Sequence, residues 1–367
     1  MMQPLRIGVV APIYYPVPPD RYGGTERVIH ALAEELVARG HRVTLFAAGT
    51  SRTSAHLVES APLPIESLDP FDSLVYQVLQ VVQLREHSAE LDIIHSHAGY
   101  LPWLAGGHLR APMVTTVHGP LDSQETRHVL SAFPEQPLVA ISDSQRFNIA
   151  DLPLKWMATV HNGLPLAQLF SFGPSPGDYL VHIGRIARDK GTHLAIRVAR
   201  RAGLDLKIAG PVHAADRAYH EAEVAPYLDG RRVEWLGELT DHEKAELLRH
   251  AAAVLLPLQW PEPFGLVAIE SLACGTPVVA TPCGAMPELV RHGVHGYLAA
   301  TEDELVEGCR LVHRLDRHAC RRWALERFSQ QRMTGGYEEV YLRLLGVTGV
   351  KMKSQPEAII VPLPEEG

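Results

Sequence analysis

"LPLAQLFSFGPSPGDYLVHI", Leu164 to Ile183, contains a break and a restart. As far as Asp178 it carries three prolines, two glycines and no hydrophobic periodicity, the composition of a linker. Tyr179 to Ile183 then resumes as a short apolar strand. Before the break one unit recurs: an apolar strand, a loop, an amphipathic helix. Leu5–Ala11 reads as a buried parallel strand, Thr25–Ala38 as a helix closed by Gly40, and His41–Ala47 as the next strand. Asp92–His95, Met113–Val117, Leu138–Ile141 and Ala158–Val160 continue the series. After the break Leu206–Ala209, Val233–Leu236, Ala253–Leu256 and Pro277–Ala280 alternate with helices such as Thr192–Ala202 and Asp241–Ala251. The expected fold class is therefore α/β: two Rossmann-like, doubly wound parallel-sheet domains facing across a cleft. Glu302–Leu315 and Arg321–Leu345 read as closing helices, and the segment from Val347 as a loose tail.

The bulk numbers agree with two cores. The chain has 367 residues, 46% hydrophobic and 21% charged, with a formal net charge of -8. No lysine or arginine block is dense enough for a nucleic-acid surface, so nucleic acid is a poor partner. No stretch approaches the roughly 20 apolar residues of a membrane helix, and the N-terminus runs directly into a strand, so a cytoplasmic location is expected. Cys274, Cys283, Cys309 and Cys320 form no C-x-x-C pair and read as buried, reduced thiols.

In open parallel sheets ligands bind at the carboxyl ends of the strands, so the loops that follow strands carry the chemistry. The first, Pro12–Arg27, ends in Gly23–Gly24 at a helix start, where free N–H groups suit a phosphate; a tight turn explains the glycines equally well. In His182–Ile196, Arg185 and Lys190 stand five apart before Gly191 and could meet a diphosphate, although on that stretch alone solvated surface charge is the simpler reading. The order Lys190-Gly191-Thr192 excludes a Walker A loop. His95 and His97 alternate at strand spacing and should face opposite ways, against a shared metal. His118 ends an apolar strand on the cleft side, where a structural histidine and a site histidine are equally good readings.

In "QWPEPFGLVAIESLACG", Gln259–Gly275, Pro261 and Pro263 fix the backbone around Glu262, while Glu270 lies inside a buried helical run. A buried carboxylate is costly unless paired or bound to a ligand. The N–H groups of Phe264, Gly265, Leu266 and Val267 would make a further anion site near Arg185 and Lys190.

Taken in order, "YGGTERVIHALAEELVARGHRVTLF", "DIIHSH", "VHG", "HNG", "IGRIARDKG", "GELTDHEKAELLRHA", Glu262-x7-Glu270 and "SLACGTPVVATPCGAMPELV" resemble a family 4 retaining glycosyltransferase of the GT-B fold, over roughly residues 5–345. The resemblance implies an acceptor domain at 1–168, a donor domain at 169–324, a helix at about 325–345 packing back on the first domain, and a flexible tail at 346–367. It implies a nucleotide diphosphate sugar as donor substrate, no cofactor and no metal. Arg185 and Lys190 would hold the diphosphate with the amides from Phe264 to Val267. Glu262 would bind sugar hydroxyls and Glu270 the ribose, with Glu238 and Leu239 bordering the base. Gly23 and Gly24 would bring backbone to the phosphates, and His118 would lie beside the reacting carbon. Where the family often continues the "HNG" motif with an acid, this chain has Leu164–Pro165. The first domain shows no obvious basic, apolar face, which favours a soluble small-molecule or saccharide acceptor over a lipid-linked one. A sugar-nucleotide 2-epimerase and a catalytically silent sugar-nucleotide-binding protein are the alternatives.

Overall fold

The computed structural model describes residues 3–347, and the tail from residue 348 lies outside the described residues. Strands β1 (Arg6–Val10), β2 (Arg42–Ala48), β3 (His56–Ala61), β4 (Ile93–Ser96), β5 (Met113–Val117), β6 (Leu138–Ala140) and β7 (Trp156–Thr159) form one sheet in the order β3-β2-β1-β4-β5-β6-β7. A second sheet, β10-β9-β8-β11-β12-β13, is built from β8 (Tyr179–Ile183), β9 (Asp205–Ala209), β10 (Val233–Trp235), β11 (Ala253–Leu256), β12 (Val278–Ala280) and β13 (Gly296–Leu298). Each strand pair within the two sheets is parallel. Both sheets turn outward from their first strand, so each has a crevice where the strand order reverses.

The physical basis is the burial pattern. Val9 and Val10 in β1, and Val254 and Leu255 in β11, are fully buried, as expected for strands covered by helices on both faces. Two strands gave no sequence signal. β3 is an edge strand with His56, Glu59 and Ser60 among its six residues, and β13 is only three residues long. The 18-residue helix Pro70–His87 was likewise not resolved as an element by its pattern. It exposes Leu74, Val75, Val78 and Leu79, an apolar strip on the first lobe; the same helix carries Asp72, Arg85 and Glu86, and the strip is not basic.

The closing helix is two helices. Arg317–Arg327 packs on the Leu266–Ala273 helix of the second lobe. The chain then breaks at Phe328, Ser329 caps the next helix by accepting from the Arg332 amide, and Gln330–Leu344 packs on the Gly24–Ala38 helix of the first lobe. The single helix expected over Arg321–Leu345 fails because the N-cap serine ends one and starts the other. At this break the two crossings between lobes lie side by side. The Leu164 amide donates to the Phe328 carbonyl (3.1 Å) and the Gln330 amide to the Leu164 carbonyl (3.0 Å). Gly163 allows this, since a Cβ there would stand 2.4 Å from the Ser329 carbonyl oxygen. The Leu166–Leu169 turn just beyond already packs against second-lobe helices.

Gln330–Leu344 is anchored to the first sheet by a buried polar chain. The Tyr341 hydroxyl lies 2.7 Å from His95 Nδ1, His95 Nε2 lies 2.8 Å from Thr116 Oγ1, and Thr116 Oγ1 lies 3.2 Å from the Tyr337 hydroxyl. Removing one partner leaves a buried polar atom unpaired, which costs about 1–3 kcal/mol. Tyr341→Phe is therefore expected to lower the urea-unfolding free energy by about that amount. A change under about 0.5 kcal/mol would show that the chain contributes nothing to docking the helix.

Candidate functional site

The parallel strands end on one edge of each sheet, and the loops beyond those ends enclose a cavity of about 800 Å³ lined by both lobes. It receives Gly23, Gly24 and Glu26 from beyond β1, His97 from beyond β4 and His118 from beyond β5. The second lobe contributes Arg185, Lys190, Glu262 and the run from Phe264 to Val267. A narrower hollow continues from it, lined by Gly23, Gly24, Glu238, Leu239, Lys244, Leu266, Val267 and Glu270. The sequence-derived site residues thus surround two connected spaces.

Their partners were not foreseen. Arg185 Nη1 donates to Asp216 Oδ2 (2.6 Å) and Nη2 to Asp189 Oδ2 (2.9 Å). The Lys190 ammonium pairs with Glu262 Oε2 and stands 4.3 Å from the centre of the Trp260 ring. Trp260 Nε1 donates to the same Glu262 oxygen at 3.2 Å. Lys244 Nζ donates to Glu270 Oε1 at 2.6 Å. Arg185 and Lys190 are therefore not free surface charges: both line the cavity, partly buried and ion-paired. Glu270 is 1% exposed, and its Oε2 is buried without a hydrogen-bond partner. An unsatisfied buried carboxylate oxygen costs free energy until a donor reaches it.

The helix beyond Glu262 is Leu266–Ala273, shorter than the sequence pattern suggests, because left-handed Gly265 (φ +96°) precedes it as the cap. The first-turn amides of Leu266 and Val267 have no carbonyl one turn earlier to bond. Gly24 opens the first-lobe helix directly opposite: a Cβ on it would lie 3.2 Å from Leu266 Cδ1. Two helix N-termini, one from each lobe, converge on the same space.

His97 corrects an expectation. His95 in β4 and His97 just after it stand two residues apart, a spacing that keeps both on one face of a strand, and their rings lie 4.0 Å apart instead of on opposite faces. His97 Nδ1 in turn lies 2.8 Å from His118 Nε2, so His97 supports the cavity histidine from behind. Burial pushes His118 down to about 4 and His95 to about 3. Burial, then His95 and His118, hold His97 well below the ordinary imidazole range. His118 therefore stands in the cavity as a neutral ring.

Cross-lobe contacts flank the cavity. Glu288 of the second lobe accepts from the Asp143 and Ser144 amides at 2.9 and 2.8 Å and lies 2.8 Å from His161 Nε2. On the other side Arg27 pairs with Asp241. Among the described residues no group of three or more His, Cys, Asp or Glu could hold a metal ion, and no helix is long and apolar enough to cross a membrane. The four cysteines are unpaired thiols.

Two family models match the chain: Glycosyl transferases group 1 over residues 171–324 and Glycosyltransferase Family 4 over 22–168. This is a glycosyltransferase of the GT-B fold, and it belongs to the family 4, group 1 enzymes. Among curated relatives, D-inositol 3-phosphate glycosyltransferase of Mycobacterium marinum is 28% identical over 332 residues, 77% of this chain and 71% of that one. Among solved structures, AviGT4, a glycosyltransferase involved in avilamycin A biosynthesis, superposes with a TM-score of 0.74 at 24% identity, over 94% of this chain and 98% of that one. HepE of Anabaena, solved with UDP and glucose, gives 0.71 at 19% identity over 91% and 98%. The enzyme moves a sugar from a nucleotide-sugar donor to an acceptor.

The buried histidines set an acid limit on stability. His95, His97, His118 and His182 are all lowered, chiefly by burial, so below an unfolded value of 6.5 the unfolded chain takes up protons that the folded chain refuses. Their contribution is complete above that pH and is lost as pH falls toward about 4. Glu26, pushed up to about 7 by burial, opposes them by one proton. The urea midpoint is expected to drop between about pH 7 and pH 5, with each net proton worth about 1.4 kcal/mol per pH unit at most. An unchanged or higher midpoint at pH 5 would contradict neutral burial of these rings.

Proposed function

We propose that the chain transfers the sugar with retention of anomeric configuration, without a metal, to a hydroxyl of a soluble acceptor. The observation that carries the reading is the convergence on one cavity of Arg185, Lys190 and the helix start at Leu266 with the carboxylates Glu262 and Glu270. In the proposal Arg185, Lys190 and the amides from Phe264 to Val267 hold the donor diphosphate, with Gly23 and Gly24 bringing first-lobe backbone to it. Glu262 accepts from sugar hydroxyls. Glu270 accepts from the ribose through its unpartnered Oε2, with Lys244 fixing the carboxylate. Glu238 and Leu239 border the base, and neutral His118 lies at the reacting face.

Breaking the bond from the anomeric carbon to the phosphate oxygen leaves negative charge on the diphosphate. Fixed cations and amide dipoles aimed at that charge stabilise the transition state more than the ground state. Attack from the same face lets the departing phosphate oxygen accept the acceptor's proton as the new glycosidic bond forms, so no protein nucleophile takes part. HepE, of the same fold, was solved with UDP and glucose, which makes UDP-glucose the first donor to try.

Thermal shift across UDP-, GDP-, ADP- and dTDP-sugars identifies the donor, because binding to the native state raises its stability. With that donor, Lys190→Ala is expected to reduce kcat/KM at least about a hundredfold, and Glu270→Gln to weaken nucleotide binding about tenfold. Unchanged turnover in both variants would remove the site assignment. NMR of the first-formed product from an α-linked donor is expected to show an α-linkage, and a β-linkage would rule out retention.

A further inference from the structure

The wall that the first lobe gives to the cavity is almost uncharged. Among the described lining residues it offers no lysine or arginine, and its one carboxylate is Glu26. The cations of the cavity, Arg185 and Lys190, come from the second lobe and face the three carboxylates Asp189, Asp216 and Glu262. His97 and His118 add no charge near neutral pH. What the first-lobe wall does supply is aromatic and polar surface: Tyr14, Tyr15, Tyr22, Tyr100 and Gln77.

Glu26 sits in the first turn of the Gly24–Ala38 helix and is 4% exposed. Its carboxyl has no lysine, arginine or histidine partner among the described residues. The guanidinium of Arg27, whose charge it feels, is committed to Asp241 and to the Arg21 carbonyl. Burial is the largest influence on it and pushes it up to about 7. A buried carboxyl with no ion pair, lining a cavity that a substrate must enter, is a ready acceptor for a hydroxyl donor.

We infer that the acceptor is an uncharged polyhydroxylated molecule, a saccharide or glycoside without phosphate or carboxylate, seated on the first-lobe tyrosines with one hydroxyl bound by Glu26. The inference rests on the proposed donor site, which leaves the first-lobe wall to the acceptor. Tyrosine faces pack on the apolar C–H faces of a sugar ring while their hydroxyls and Glu26 meet its polar edge. A phosphorylated acceptor, of the kind named for the D-inositol 3-phosphate relatives, would place an anion beside Glu26. No cation of that wall would meet it, and the two second-lobe cations would already hold the donor diphosphate. Desolvation without a counter-charge then opposes it, and any charge on Glu26 adds repulsion.

The test pairs each neutral acceptor with its phosphate ester, for example myo-inositol with inositol 3-phosphate and glucose with glucose 6-phosphate, and extends to disaccharides and aryl glycosides. Donor-dependent transfer is measured, together with suppression of donor hydrolysis as a binding readout. The neutral member of each productive pair is expected to have a KM at least about tenfold lower. Glu26→Gln is expected to raise KM for neutral acceptors about tenfold, leave the donor Kd unchanged and narrow the gap to the phosphate ester. A merely structural role for Glu26 would instead move the donor Kd and the thermal midpoint. Preference for the phosphate esters, no transfer or protection by any neutral acceptor, or an unaltered acceptor KM in Glu26→Gln overturns the inference. If no nucleotide sugar binds at all, the donor-site reading falls with it; if donor binds and phosphate esters win, only the acceptor inference falls.

Discussion

A cation withdrawn from water between two lobes must be paired, and in this protein each lysine or arginine that matters to the cleft is paired with a carboxylate already present. Arg185 is held by Asp189 and Asp216, Lys190 by Glu262, Lys244 by Glu270 and Arg27 by Asp241. The cleft therefore neutralises itself in the absence of substrate. In the proposed donor site an incoming diphosphate would not simply fill a positive hole: it would replace carboxylates as the partner of Arg185 and Lys190. Binding strength is the difference between the two sets of interactions, since breaking a desolvated pair without replacing it is expensive. On the same proposal Glu262, released from Lys190, would become free for sugar hydroxyls as the donor arrives, so that one exchange would arm both halves of the donor grip.

The fold makes this arrangement possible by topology before it does so by chemistry. Parallel strands place every strand-to-helix loop on one edge, and two such sheets in series set two edges against each other. The lobes are joined where Leu164 runs beside Phe328 and Gln330, and they also touch through Glu288 with His161 and through Arg27 with Asp241. These contacts lie on either side of the cavity. The lobes are thus joined by a narrow double crossing and by polar contacts. The same crossing explains why the closing helix had to be broken at Ser329: one half belongs to each lobe.

Sequence reasoning reached the parallel sheets because strands buried on both faces are written as short apolar runs, as in Met113–Val117 and Ala253–Leu256. It lost two edge strands: β3, where His56, Glu59 and Ser60 reflect that position, and β13, whose Gly296–Leu298 begins with glycine and is only partly buried. At the site, Glu262 was legible from its two prolines and Glu270 from its place in an apolar helix. The partners of Arg185 and Glu270 were not. Asp216 and Lys244 are 31 and 26 residues from Arg185 and Glu270, with no local pattern to mark them, and only the folded chain brings the charges together. His97 was misplaced because residues two apart on a strand share a face, whereas His95 and His97 were set on opposite ones. Glu26 was quoted within a helix motif but carried no signal of burial, since a glutamate in a first helical turn is ordinarily a solvated one.

The proposed donor site requires Arg185 and Lys190 to exchange partners when the donor binds. A crystal structure of the protein with a non-hydrolysable analogue of its nucleotide diphosphate sugar tests it most directly. The expected complex has the Lys190 ammonium on a phosphate oxygen and no longer on Glu262, Glu262 within hydrogen-bond distance of a sugar hydroxyl, and a ribose hydroxyl on Glu270 Oε2. A complex in which Lys190 remains paired with Glu262 while the diphosphate lies elsewhere in the cleft would contradict it.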